Sequence, residues 1–153
     1  MFVINRFERF SYSVFEISRC WHKLAADVMA ERGLKGPYAI YLVMLRHYDE
    51  GVTAARLCEL CARDKADVSR AVSAMEKEGL VFREGGGSYR ARLKLTDAGM
   101  EIADHVSNLA GRAVERAGGE LSEEHRGMFY SALETITANL QVLSKEGFSE
   151  NNN

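Results

Sequence analysis

The sequence predicts a mainly α-helical fold with one short β-hairpin set inside it. Three observations predict this. Apolar residues recur at spacings of three and four along most of the 153 residues, the period of helices seated on a core. The chain has one proline, Pro37, too little turn punctuation for an all-β chain of this length. The period changes only near 80–95, where two short apolar runs flank Glu84-Gly85-Gly86-Gly87-Ser88.

The elements follow in order. Val3, Phe7, Phe10, Val14, Ile17, Trp21, Leu24 and Val28 form one narrow seam with a 3.5-residue repeat, which predicts a long first helix. A seam this rich in Phe and Trp is expected to be buried, against the C-terminal helix, a partner subunit or both. Gly33 and Gly36 break the helix, and Pro37 suits the first turn of the next, predicted over 38–48. Thr53 caps a third helix, AARLCELC. Ala62 and Arg63 make a turn, and Asp64 caps a fourth helix from Lys65 to about Glu78, closed by Gly79. Val68, Val72 and Met75 are its inward anchors. A strand begins at Leu80-Val81-Phe82 and returns from Tyr89 to Leu95, with Ala91, Leu93 and Leu95 on one face. Thr96-Asp97 caps a fifth helix through Ile102, Val106 and Ala110. Gly118-Gly119 interrupts it, and Ser122 caps a last helix carrying Phe129, Leu133, Ile136, Leu140 and Leu143. The SENNN end is polar and expected to fray.

Composition narrows the function. Hydrophobic residues make up 46% and charged residues 27%, the balance of a globular domain. No apolar run has the length of a membrane span, and the N-terminus is expected to be no signal peptide, so a cytoplasmic location is expected. Three cysteines without a secretory signal argue against a disulfide framework. A net charge of −2 argues against indiscriminate coating of nucleic acid, but a local basic face suffices for specific binding.

A short helix, a tight turn, a second helix and a two-stranded wing together make a DNA-reading device, a winged helix-turn-helix. The first helix braces the second, whose free face fits a major groove about 12 Å wide. Here that face carries Lys65, Ala66, Asp67, Ser69, Arg70 and Ser73. Arg70 can pair with a guanine edge or a phosphate, the serines with either, and Asp67 can accept from a cytosine amino group while repelling phosphates. From Arg63 to Lys94 eight basic residues face five acidic ones, an excess of three positive charges in a chain that is −2 overall. Cations therefore gather where the motif needs them, although a charged helix face taken alone is usually just solvated.

Residues 52–81, VTAARLCELCARDKADVSRAVSAMEKEGLV, resemble the MarR family of bacterial regulators. The resemblance rests on the Thr start, Leu57, the VSR at 68–70 and the closing Gly-Leu-Val. It extends to that family's LTxxG signature at Leu95-Thr96-Asp97-Ala98-Gly99, and to the long first and paired C-terminal helices. It implies a winged helix-turn-helix over 36–100, with 1–35 and 101–150 forming a helical dimerisation region. It implies DNA contacts from Lys65, Asp67, Ser69 and Arg70, and a homodimer on a pseudo-palindromic operator, commonly as a repressor released by a small aromatic or phenolic ligand. Thr53, Ala66, Ser73 and the wing residues Tyr89, Arg90 and Arg92 complete the candidate DNA-contact set. The family's wing tip carries Asp-x-Arg, whereas those positions here hold Gly87 and Tyr89, with Arg90 adjacent.

Other chemistry has less support. Cys58 and Cys61 form a C-x-x-C on one face of the third helix, but no second Cys/His pair has zinc-finger spacing, so both read as core residues and no metal is expected. Cys20, near Arg19 and His22, is a candidate redox sensor by resemblance. His22, His47, His105 and His125 are scattered. No nucleophile motif, phosphate loop or carboxylate pair stands out, so no enzyme and no cofactor are expected. Trp21, Tyr38, Tyr41 and Met44 are candidates to line an apolar aromatic pocket, with ordinary core packing as the competing reading. The alternative functions are a protein–protein module that kept the winged helix, and a cysteine-based redox-sensing regulator.

Overall fold

The computed structural model describes residues 5–85 and 90–147. Six helices and one hairpin follow in the order α1 (Arg6–Ala30), α2 (Tyr38–Leu45), α3 (Ala54–Cys61), α4 (Lys65–Lys77), β1 (Val81–Glu84), β2 (Arg92–Leu95), α5 (Asp97–Ala117) and α6 (Glu123–Glu146). This is the mainly helical winged-helix fold that the periodicity predicts. Val3 of the first seam, the hairpin tip with Gly87 and Tyr89, and the SENNN end lie outside the described residues.

Helix starts follow local chemistry. Asn5 and Glu8 form a reciprocal capping box at α1, the Asn5 side chain accepting from the Glu8 N–H at 2.8 Å. Thr53, Asp64 and Ser122 each accept from a backbone N–H three residues on, at the starts of α3, α4 and α6. Thr96 does the same for α5, accepting from Gly99 N–H at 3.0 Å, and its hydroxyl also donates to the Gly79 carbonyl at 2.6 Å. One side chain thus ties the end of α4 to the start of α5.

Three boundaries differ from the sequence reading. α2 ends at Leu45 rather than 48. Beyond Arg46 the chain tightens into i→i+3 turns, His47 N–H to Met44 O and Tyr48 N–H to Leu45 O, while Tyr48 still packs on the core. Burial continues past the helix there, so the apolar pattern overstates its length. α4 ends at Lys77, with Glu78 as its C-cap and Gly79 at φ +71°. β2 begins at Arg92, and Ala91 is buried just outside it.

The chain divides into two compact units, Met1–Ala110 and Gly111–Asn153. In the first, Met29, Leu42, Leu57, Val68, Val72, Met75 and Leu93 are fully buried side chains, so the end of α1, α2, α3, α4 and β2 share one core. The hairpin pairs antiparallel with Val81 opposite Leu95 and Glu84 opposite Arg92, and Val52 bridges to Leu93 as a third rung. In the second unit, Arg126 closes the turn before α6, donating to the Gly118 carbonyl and pairing with Glu115 at 2.8 Å. No described helix is long and apolar enough to cross a membrane.

Most of the described α1 seam is exposed. Phe7 is 75% exposed, and Phe10, Val14, Ile17 and Leu24 are also exposed; only the Trp21 and Val28 end is half-buried. α6 contributes no buried residue, and Phe129, Leu133, Ile136, Leu140 and Leu143 all remain exposed.

Candidate nucleic-acid interface

The site is built from α3 upward. Leu57 and Cys61 bury the inner face of α3, and Val68, Ala71, Val72 and Met75 bury that of α4. Between them Ala62 takes the left-handed conformation (φ 49°, ψ 46°), the only non-glycine residue with positive φ among those described. That reversal lets α3 brace α4 after a short turn. The Asp64 carboxylate then accepts from Asp67 N–H at 2.8 Å, a cap that stabilises a helix by about 1 kcal/mol.

With its inner face anchored, α4 presents Lys65, Ala66, Ser69, Arg70 and Ser73 to solvent, and Asp67 half-buried beside them. All six predicted residues therefore lie on one outward face. Short side chains at 66, 69 and 73 leave its backbone approachable, which close contact with a groove floor requires.

The other predicted positions divide. Thr53 is half-buried and works as the α3 cap, accepting from Arg56 N–H at 3.2 Å. Arg90 is exposed on the wing. Arg92 is exposed as well, and its Nη1 donates to the Gly51 carbonyl at 3.1 Å, tying the wing to the loop before α3. Tyr89 lies outside the described residues.

Carboxylates hold three of the cations. Arg70 Nη2 donates to Asp67 Oδ1 at 2.5 Å, Arg83 pairs with Glu76 at 2.9 Å, and Lys94 with Glu84 at 2.7 Å. The hydrogen bond to Glu84 is the main influence that raises the Lys94 pKa. None of the ion pairs among the described residues includes Arg63, Lys65, Lys77, Arg90 or Arg92. Set against Asp64 and Glu78, these five leave the excess of three positive charges around α4 and the wing. The sequence reading counted Arg63 in the charge balance but left it out of the site; it is exposed in the turn directly before the Asp64 cap. It also weighed Asp67 and Arg70 as separate contacts, although their i,i+3 spacing was the signal that they meet.

The remaining candidates are placed as follows. Cys61 is buried, and burial pushes its thiol up to about 11, so it stays protonated and unreactive near neutral pH. Cys58 is half-buried and Cys20 exposed. No described cluster of His, Cys, Asp or Glu has the makings of a metal site. Tyr38 and Tyr41 are buried members of the core, Met44 packs against it, and Trp21 is half-buried on α1. Burial also raises the Tyr41 pKa.

Residues 32–88 match the model of the MarR family. No curated protein matches the chain. Among solved structures, a MarR-family transcriptional regulator from Silicibacter pomeroyi is 23% identical, with a TM-score of 0.76 over 89% of this chain and 92% of that one. A MarR-family regulator from Listeria monocytogenes complexed with 26mer DNA is 20% identical, with a TM-score of 0.78 over 92% and 97%. The Staphylococcus aureus MepR–DNA complex is 19% identical, with a TM-score of 0.76 over 86% and 97%. Identities of this size speak for the fold, which is shared along nearly the whole length. The matched segment begins just after α1 and runs through α4 into the wing, and over that stretch the chain is similar to the MarR family.

Proposed function

We propose that this chain is a transcriptional regulator that binds double-stranded DNA as a homodimer, with α4 in the major groove and the wing against the backbone. One observation carries the reading: α4 buries Val68, Ala71, Val72 and Met75 and turns outward a continuous face of Lys65, Ala66, Asp67, Ser69, Arg70 and Ser73. Arg70 and the two serines supply base-edge donors, and Lys65, Arg63, Arg90 and Arg92 supply phosphate contacts. Two of the similar structures are DNA complexes, which supports the same use of the fold here. Pairing through α1, α5 and α6, with 1–35 and 101–150 as the dimerisation region, gives the exposed seams an apolar partner and sets two α4 helices about 34–36 Å apart on a pseudo-palindromic site. We further assign repression as the mode of action and a cytoplasmic location. A small aromatic effector would be held near Trp21, Tyr38, Tyr41 and Met44. The chain acts by binding, not by catalysis.

The experiment is selection of genomic fragments by the full chain, followed by titration of the enriched duplex with the protein and with Arg70→Ala. The substitution is expected to weaken the enriched duplex at least about a hundredfold, one guanine contact being lost in each half-site, while the circular dichroism stays unchanged. An unaltered affinity would refute α4 as the reading helix.

A further inference from the structure

Arg70 is held before any DNA arrives. Its Nη2 donates to Asp67 Oδ1 at 2.5 Å, both residues lie on the outward face, and their side chains are 71% and 44% exposed. The pair stands among balanced charges. From Asp64 to Lys77 the helix carries Asp64, Asp67 and Glu76 against Lys65, Arg70 and Lys77, so α4 with its N-cap is neutral. The attraction for phosphate comes from its flanks, while the surface that meets the bases has no net pull on a polyanion.

We infer that Asp67 sets specificity: it holds Arg70 for a guanine edge and penalises every register in which Arg70 would have to take a phosphate instead. The inference rests on the reading of α4 as the DNA-contacting helix and adds a role that reading leaves open. A guanidinium has five N–H donors, and Asp67 engages one nitrogen at a single hydrogen bond, so donors remain for the O6 and N7 acceptors of guanine. On a matching site the ion pair and the base contact coexist. On a mismatched site Arg70 satisfies itself only by leaving Asp67 for a phosphate, and the carboxylate is then left unpaired against the DNA backbone. Like charges brought together across an interface suppress wrong partners more than they strengthen right ones. The serines at 69 and 73 carry no charge and cannot discriminate in this way.

The test uses the full chain, the duplex enriched by genomic selection and a scrambled duplex of the same length, titrated by fluorescence anisotropy at several salt concentrations. Asp67→Asn keeps size and hydrogen-bonding capacity while removing the charge. It is expected to shift binding toward the scrambled duplex about tenfold relative to the enriched one, and to steepen the salt dependence of scrambled binding by close to one counterion. The ratio of the two affinities therefore falls about tenfold. In the Arg70→Ala background the same change is expected to leave that ratio unaltered, because the charge acts through Arg70. An Asp67→Asn protein that loses affinity for both duplexes equally, or changes neither, overturns the inference while the DNA reading stands. A wild-type protein that binds both duplexes alike overturns the DNA reading itself, and this inference with it.

Discussion

Two residues show how narrowly the backbone constrains the sequence. Ala62 takes a left-handed conformation, which costs a residue with a Cβ about 1–2 kcal/mol. Glycine would remove that cost and add about 0.5–1 kcal/mol of unfolded-state entropy. Ala62→Gly is therefore expected to stabilise the protein by up to about 1 kcal/mol and raise the thermal midpoint by about 2–4 °C; a lower midpoint in a calorimetric scan would contradict this. Gly99 is the opposite case. A Cβ there would sit 2.0 Å from the Leu80 carbonyl oxygen, a backbone atom with no freedom to move aside. Gly99→Ala is expected to destabilise by about 3 kcal/mol, the upper end for overpacking, measured by urea unfolding. The glycine was legible in the sequence only as part of the LTxxG signature; its physical reason, the close approach of α5 to the end of α4, belongs to the fold. The same holds for Thr96, readable as a cap but not as the hydroxyl that grips Gly79.

Among the elements, those with strong local chemistry were legible and those shaped by packing were less so. Thr53, Asp64 and Ser122 start their helices as the capping preference predicts, because an N-cap depends on its own side chain and the next three residues. The C-terminal end of α2 depends on what Tyr48 packs against, which no local signal carries, and the reading ran three residues long there. In α4 the inward set of Val68, Val72 and Met75 followed from spacing alone, and with it the outward face. What spacing left unused was the contact between Asp67 and Arg70 across one turn. The element's function as proposed depends on Arg70 being available to a base and not locked away, and its 71% side-chain exposure is consistent with that. The wing was legible as a hairpin from its glycines; Tyr89 lies outside the described residues, while Arg90 and Arg92 are exposed.

For the molecule as a whole, the apolar seams of α1 and α6 were legible as helices, but what they pack against was not. A seam specifies that it is to be covered, not by which surface. Phe7, Phe129, Leu133 and Ile136 are exposed in one chain, which argues for the proposed homodimer. Leu133→Glu combined with Ile136→Glu is expected to give a monomer by sedimentation velocity with α1–α5 still helical by circular dichroism; a persistent dimer would place the interface elsewhere. Loss of the dimer should also lower affinity for a two-half-site duplex by several orders of magnitude, since the second α4 no longer binds as part of the same molecule. The central claim, that α4 lies in the major groove with Arg70 on a guanine, is tested most directly by methylation interference at guanine N7, an atom exposed only in that groove. On the enriched duplex the account predicts interference at guanines in two half-sites about one helical turn apart, with one guanine per half-site becoming insensitive in Arg70→Ala. Interference absent from the major groove, or an identical pattern in both proteins, would contradict it.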